Sequence, residues 1–202
     1  MFKSKVTRGY GLLEGFLAKQ RSKVVDELIP STYRNGRILD IGCGNYPYFL
    51  LNTKFSEKYG LDKITKGYYA ENFQNSEIIF INYDIEKNAT LPFGSELFDV
   101  VTMLAVIEHV ETKSLTKIMS EIHRILKSGG MYVLTTPAPR AAFLLRCMAK
   151  LRLVSPIEIE EHKDAYSTSR ISSMLQEANF SEKKIRCGYF EIFMNIWATA
   201  KK

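Results

Sequence analysis

Apolar residues fall along this chain in two alternating rhythms. Short runs rich in apolar and β-branched residues occur at Arg37–Ile41, Lys58–Asp62, Glu77–Tyr83, Leu97–Leu104 and Met131–Thr136. Apolar runs of this length, bounded by turn residues, predict strands buried on both faces, as in a parallel sheet. Between and around them apolar positions recur at helical spacing. Leu12, Leu13, Phe16, Leu17, Val24, Val25 and Leu28 predict one or two amphipathic helices ending before Pro30. A short helix is expected over Tyr46–Thr53. A longer one is expected over Ser114–Leu126, with Leu115, Ile118, Met119, Ile122, Ile125 and Leu126 as its buried stripe and Gly129-Gly130 as its stop. Another is expected over Ser169–Ala178, and Lys184–Ile192 and Asn195–Thr199 read as two closing strands joined by a tight hairpin. Strands alternating with helices predict an α/β fold with a doubly wound, mostly parallel sheet and helices on both faces.

Residues 137–166 break this rhythm. Arg140–Val154 is apolar apart from Arg140, Arg146, Lys150 and Arg152, and it is rich in good helix formers. Pro156 stops it, and the acidic Glu158, Glu160 and Glu161 follow. Its apolar residues surround the helix, so packing on one face cannot bury them all. The segment is either a lid over a binding crevice or a crossover helix on the sheet, and Arg146 with Lys150 leaves a membrane-docking face as a third reading. The domain organisation expected is an N-terminal helical cap over 1–30 and one α/β domain over 31–202, with a lid insertion at 137–166. The cap either packs on the sheet or covers the site.

Composition narrows the class more than the chemistry. Hydrophobic residues make up 46% of the 202, enough for a full core. The net charge of +6 comes from scattered residues with no block of like charge, so a nucleic-acid partner is not favoured. Cys43, Cys147 and Cys187 are far apart and show no metal-ligand spacing, which fits reduced thiols and no metal. No apolar run approaches the ~20 residues of a membrane span, and no leader pattern opens the chain, so a cytoplasmic protein is expected.

One stretch carries specific chemistry: Arg37-Ile38-Leu39-Asp40-Ile41-Gly42-Cys43-Gly44-Asn45-Tyr46. A buried strand ends in Asp40 and turns on two glycines toward a helix expected near Pro47. Such a turn lets backbone approach a ligand closely. The dinucleotide fingerprint Gly-x-Gly-x-x-Gly fails, because its third glycine would fall on Pro47. Acidic-x-Gly-x-Gly does match, and Ile-Leu-Asp-Ile-Gly-Cys-Gly closely resembles the first motif of class I S-adenosylmethionine-dependent methyltransferases. Phe98-Asp99-Val100-Val101 followed by Glu108-His109-Val110 resembles the branch acting on quinone precursors, lipids and other small molecules. Tyr46 stands where that first motif often carries another glycine.

The resemblance covers residues 36–200 in outline and implies a seven-stranded sheet with a C-terminal antiparallel hairpin. It implies S-adenosylmethionine as cofactor, with S-adenosylhomocysteine as product. Asp40, Gly42, Cys43 and Gly44 would form the cofactor loop. Asp62, 22 residues after Asp40, would hold the ribose hydroxyls, with Lys63 beside it. Asp84 would accept from the adenine amine, and Ile85 and Leu104 would pack against the ligand. His109 is the candidate general base and Glu108 a candidate for orienting an amine; both could instead cap the following helix. Tyr46, Tyr48 and Phe49 could face the sulfonium, with core packing the alternative for Phe49. Cys43 reads as a small packing residue, and His123 as structural or solvated and not a ligand. Where enzymes of base amines carry Asn/Asp-Pro-Pro-aromatic, this chain reads Met103-Leu104-Ala105-Val106. The expected partner is therefore a small-molecule or lipid-like methyl acceptor, with peripheral membrane contact open and a nucleic-acid or protein acceptor, or a non-catalytic cofactor-binding module, as alternatives.

Overall fold

Strand residues that alternate between two apolar faces need a helical layer on each. The computed structural model describes residues 13–63, 77–88, 90–151, 153–155 and 163–202 and shows that arrangement. In chain order the elements are α1 (Glu14–Leu28), β1 (Arg37–Ile41), α2 (Tyr48–Asn52), β2 (Glu57–Asp62), β3 (Ile78–Asn82) and β4 (Phe98–Leu104). Then follow α3 (Thr112–Ile125), β5 (Leu126–Pro137), α4 (Ala141–Lys150), α5 (Thr168–Glu177), β6 (Ile185–Phe190) and β7 (Asn195–Lys201). The sheet has seven strands in the order β3-β2-β1-β4-β5-β7-β6. Strands β1 to β5 pair in parallel, and β7 pairs antiparallel with both β5 and β6.

Successive strand residues serve opposite faces. Leu39, Val101 and Leu134 join the apolar stripes of α3 and α5 on one side. Ile38, Val100 and Val133 join Val25 of α1 and Phe49 and Leu50 of α2 on the other. The strand order reverses between β1 and β4, and β1 pairs with β2 on one side and β4 on the other. The carboxyl end of β1 therefore opens into a crevice, where open α/β sheets take their ligands.

Several element boundaries differ from expectation. The short helix begins at Tyr48, not Tyr46, because the glycine loop continues through Pro47. The long helix ends at Ile125 with extended backbone at Leu126, so Gly129-Gly130 is not its stop. The Lys127–Gly130 stretch is a register shift inside the β4–β5 ladder. Phe98 faces Leu126, but Val100 already faces Met131, and Gly129 takes a φ of +77° within it. The helix expected over Arg140–Val154 occupies Ala141–Lys150. Arg152, Pro156, Glu158, Glu160 and Glu161, and the chain before Leu13, lie outside the described residues, as do the side chains of Phe143 and Arg146.

Candidate active site

The cavity at the crevice is built outward from Asp40. Asp40 is 4% exposed and faces Gly60 of β2 and Thr102 of β4 across the sheet. The Thr102 hydroxyl donates to its Oδ1 at 2.7 Å. Burial pushes the Asp40 carboxyl from the ordinary 3.8 up to about 7; the Thr102 bond opposes this and nearby Asp62 adds to it. Beyond Asp40 the chain turns at Gly42 and Gly44, with φ of +78° and +71°. Side chains other than hydrogen rarely adopt these angles. The Gly42 N–H donates to the Leu61 carbonyl at 2.7 Å, which fixes the loop to β2. Cys43 is 3% exposed, and its sulfur fills the space above Gly60, where a Cβ would approach it to 2.9 Å. It packs between loop and strand.

Asp62 ends β2 and is 4% exposed. Its carboxylate accepts the Gly44 N–H at 2.6 Å and the Lys63 N–H at 2.7 Å. It therefore supports the glycine loop directly, a contact that spacing alone did not disclose. At the end of β3, Asp84 pairs with the Lys63 ammonium at 3.0 Å and accepts the Glu86 N–H at 3.1 Å. Burial raises the Asp84 carboxyl, but these contacts outweigh it, and the net direction is downward. Ile85 packs on the edge of the core beside Asp84.

A cavity of about 180 Å³ brings Asp40, Gly42, Cys43, Leu104 and His109 together. Asp62, Lys63, Asp84 and Ile85 are not in its lining and stand along the same carboxyl edge of the sheet. Glu108 and His109 sit on a 3-10 turn, Ile107–His109, and both line the cavity. Glu108 is only 2% exposed and accepts the Thr136 hydroxyl at 3.0 Å. Neither caps α3: its N-cap is Glu111, with no side-chain cap bond. Ala105 adopts a φ of +55° between β4 and that turn, and its N–H donates to the Thr135 carbonyl. Tyr48 and Phe49 both line the cavity, and Phe49, 4% exposed, also belongs to the core on the α2 side. His123 lies far along α3, edge-on to Phe180 with centroids 4.9 Å apart.

Other elements complete the wall. Glu14, Leu17, Arg21 and Ser22 of α1 line the cavity, as do Leu145 of α4 and Glu191 and Asn195 of the β6–β7 turn. The helix is tied to the segment after α4: the Leu13 N–H donates to Leu153 O at 2.9 Å, and the Ser155 N–H to Glu14 Oε1 at 2.7 Å. Glu191 accepts from the Asn195 amide at 2.5 Å. Burial raises its carboxyl, with Arg21 and the Asn195 bond acting against that. Helical periodicity placed α1 in the chain but gave no sign that Arg21 lines the same cavity as the glycine loop, and nothing local marked Glu191.

Residues 39–134 match the family model described as a methyltransferase domain, a span running from β1 into β5 and including Asp40, Asp62 and Asp84. Over 117 residues the chain is 31% identical to arsenite methyltransferase of Mus musculus, covering 50% of this chain and 31% of that protein. Over 147 residues it is 29% identical to the biotin biosynthesis bifunctional protein BioHC of Teredinibacter turnerae, covering 64% of this chain and 25% of that protein. The chain thus spans less than a third of the length of either relative. The crystal structure of an S-adenosylmethionine-dependent methyltransferase from Mesorhizobium loti has the same fold, with a TM-score of 0.68 at 16% identity. That likeness covers 89% of this chain and 96% of the other.

Proposed function

We propose, from the premise that the chain is a class I S-adenosylmethionine-dependent methyltransferase with S-adenosylmethionine as its cofactor, that its acceptor is a small or lipid-like molecule seated beside Glu108 and His109. The observation that carries this reading is the cavity that Gly42 and Cys43 of the glycine loop share with those two residues and with α1. A cavity roofed by a helix suits a small acceptor better than a polymer. The names of the two curated relatives, for arsenite and for biotin biosynthesis, agree with a small acceptor.

The residues present fit the cofactor. Two glycines at positive φ leave the loop open to close approach, and acidic groups stand at the ends of β1, β2 and β3. S-adenosylmethionine supplies a methyl group already activated on a sulfonium, so the protein's task is positioning. In this reading Asp40, Gly42, Cys43 and Gly44 hold the methionine end, and the Asp62 carboxylate accepts from the ribose hydroxyls. Asp84, steadied by Lys63, takes the adenine amine, and Ile85 and Leu104 pack against the ligand. His109 accepts the acceptor's proton and Glu108 orients its polar group. Residues before Pro30 act as a cap, and part of 137–166 acts as a lid.

The test is mass spectrometry of a cell extract incubated with the protein and isotopically labelled S-adenosylmethionine. A labelled small molecule is expected. Turnover in His109→Ala should fall by ~10²–10⁴ with S-adenosylhomocysteine affinity retained. Asp62→Ala should instead weaken that affinity by about 1.5–3 kcal/mol, read by calorimetry on the folded variant. Label found only in protein or nucleic acid, with binding that falls steeply with salt, would replace the small-acceptor reading.

A further inference from the structure

A second cavity adjoins the first and differs from it in chemistry. It holds about 470 Å³, within the usual size range of ligand pockets. Its walls are Phe16, Leu17 and Val24 of α1, Leu144, Leu145 and Met148 of α4, and the β6–β7 turn. Leu17, Leu145, Glu191 and Asn195 line both cavities, so the two adjoin there. The inner cavity carries the carboxylates Glu14, Asp40 and Glu108, whereas the outer groove is mostly apolar, with Gln20 of α1 in its wall and Glu191 and Asn195 at the junction. At its outer rim Phe16 is 58%, Leu144 46% and Ile192 92% exposed. Arg140 lies over the rings of Tyr189 and Phe193 at 5.1 and 5.7 Å, beside the same turn.

We propose that this groove seats the hydrocarbon tail of the methyl acceptor, so that the acceptor is an amphiphile with its polar, methyl-accepting head in the inner cavity. The inference rests on the acceptor reading above. Two arguments fix the occupant. A groove walled mainly by leucine, valine, methionine and phenylalanine, with Gln20 on one side and Glu191 and Asn195 at its inner end, offers few hydrogen-bond partners, so what fills it gains chiefly by leaving water. Because the groove meets the inner cavity at Leu17 and Leu145, a molecule that reaches Glu108 and His109 can extend its apolar part into it. The exposed Phe16, Leu144 and Ile192 form the open end through which the tail enters, which accounts for large apolar side chains left facing solvent.

The experiment uses the full chain saturated with S-adenosylhomocysteine and titrated by calorimetry with 1-hexanol, 1-octanol and 1-decanol. Affinity should rise roughly fourfold for each added methylene. In Leu144→Asp the gain per methylene should largely vanish while S-adenosylhomocysteine affinity stays within twofold; Leu144 is half exposed, so the substitution leaves folding intact. Met148→Asp is the second variant, expected to behave alike. No chain-length dependence in a protein that binds S-adenosylhomocysteine would overturn the tail seat while leaving the cofactor reading standing. Equal dependence in both variants would place the tail elsewhere and overturn it too. Sedimentation with phosphatidylcholine/phosphatidylglycerol vesicles, abolished by Leu144→Asp in a protein that does not bind decanol, would make the groove a membrane-docking face instead. Failure of S-adenosylhomocysteine itself to bind would remove the cofactor reading, and this inference with it.

Discussion

Burial shifts the Asp40 carboxyl strongly upward. Unfolded, it titrates near ~3.9; folded, at about 7. Across that window the folded chain keeps a proton that the unfolded chain has lost. Stability therefore falls as pH rises from about 4 to about 7 and levels off above, by up to ~4 kcal/mol. Asp40→Asn should flatten that limb, read as urea midpoints that no longer differ between pH 4 and pH 8 on this residue's account. Thr102 holds one oxygen of Asp40 in place, so the side chain remains aimed at the glycine loop in either protonation state. Its identity as an acidic strand-end residue was legible in the sequence. Its shifted proton affinity was not, because that depends on Asp62 and on the burial that β2 and β4 impose from either side.

At the scale of elements, the glycine loop is held by the connection after β4. A Cβ on Gly42 would lie 2.4 Å from Val106 Cγ2, and the residue sits at a φ of +78°. The sequence suggested only that a side chain here would fill ligand space. The structure adds a clash inside the protein itself. Gly42→Ala should therefore destabilise the fold and weaken S-adenosylhomocysteine binding together. Val106→Ala in the same chain should recover the steric part, leaving a residual ~1–2 kcal/mol from the left-handed backbone. A double-mutant cycle by urea denaturation checks this: additive effects would show that Val106 does not meet the loop. The β6–β7 hairpin shows the converse strain. Glu191, Ile192 and Phe193 take φ of +50°, +53° and +64° without glycine. Conformations of this kind cluster at functional sites, and this one forms the end wall of the outer groove.

Over the whole molecule, α1 lies across the crevice and is tied at both ends. Near its carboxyl end Arg34 Nη1 donates to Asp26 at 2.8 Å and to Thr53 at 2.7 Å, and Nη2 donates to the Asp26 and Ile29 carbonyls. The Arg34 guanidinium also lies 5.0 Å from the Phe55 ring centroid. Arg34→Met should lower stability by about 1.5–3 kcal/mol, because several bonds to one charged group are lost together. Amide hydrogen exchange in α1 should quicken while β1 and β4 keep their protection, since the sheet does not depend on that clamp. Uniform loss of protection across the sheet would show instead that α1 and the domain unfold as one unit.

The sequence by itself determined the strand-and-helix order, the parallel array with its closing hairpin and the glycine turn after Asp40. Each of these is local: a continuous apolar run specifies a buried strand, a helical stripe specifies a covering layer, and two glycines after Asp40 specify a turn that other residues resist. It left open what Arg140–Val154 covers, whether α1 packs or roofs, and how Asp62 is used. Those depend on residues far apart in the chain. Asp62 binds Gly44 18 positions away, Glu14 binds Ser155 141 positions away, and the outer groove exists only where α1, α4 and the β6–β7 turn converge. No periodicity records which distant face an element meets. Only packing decides that, because apolar surface is buried against whichever layer the sheet order brings alongside.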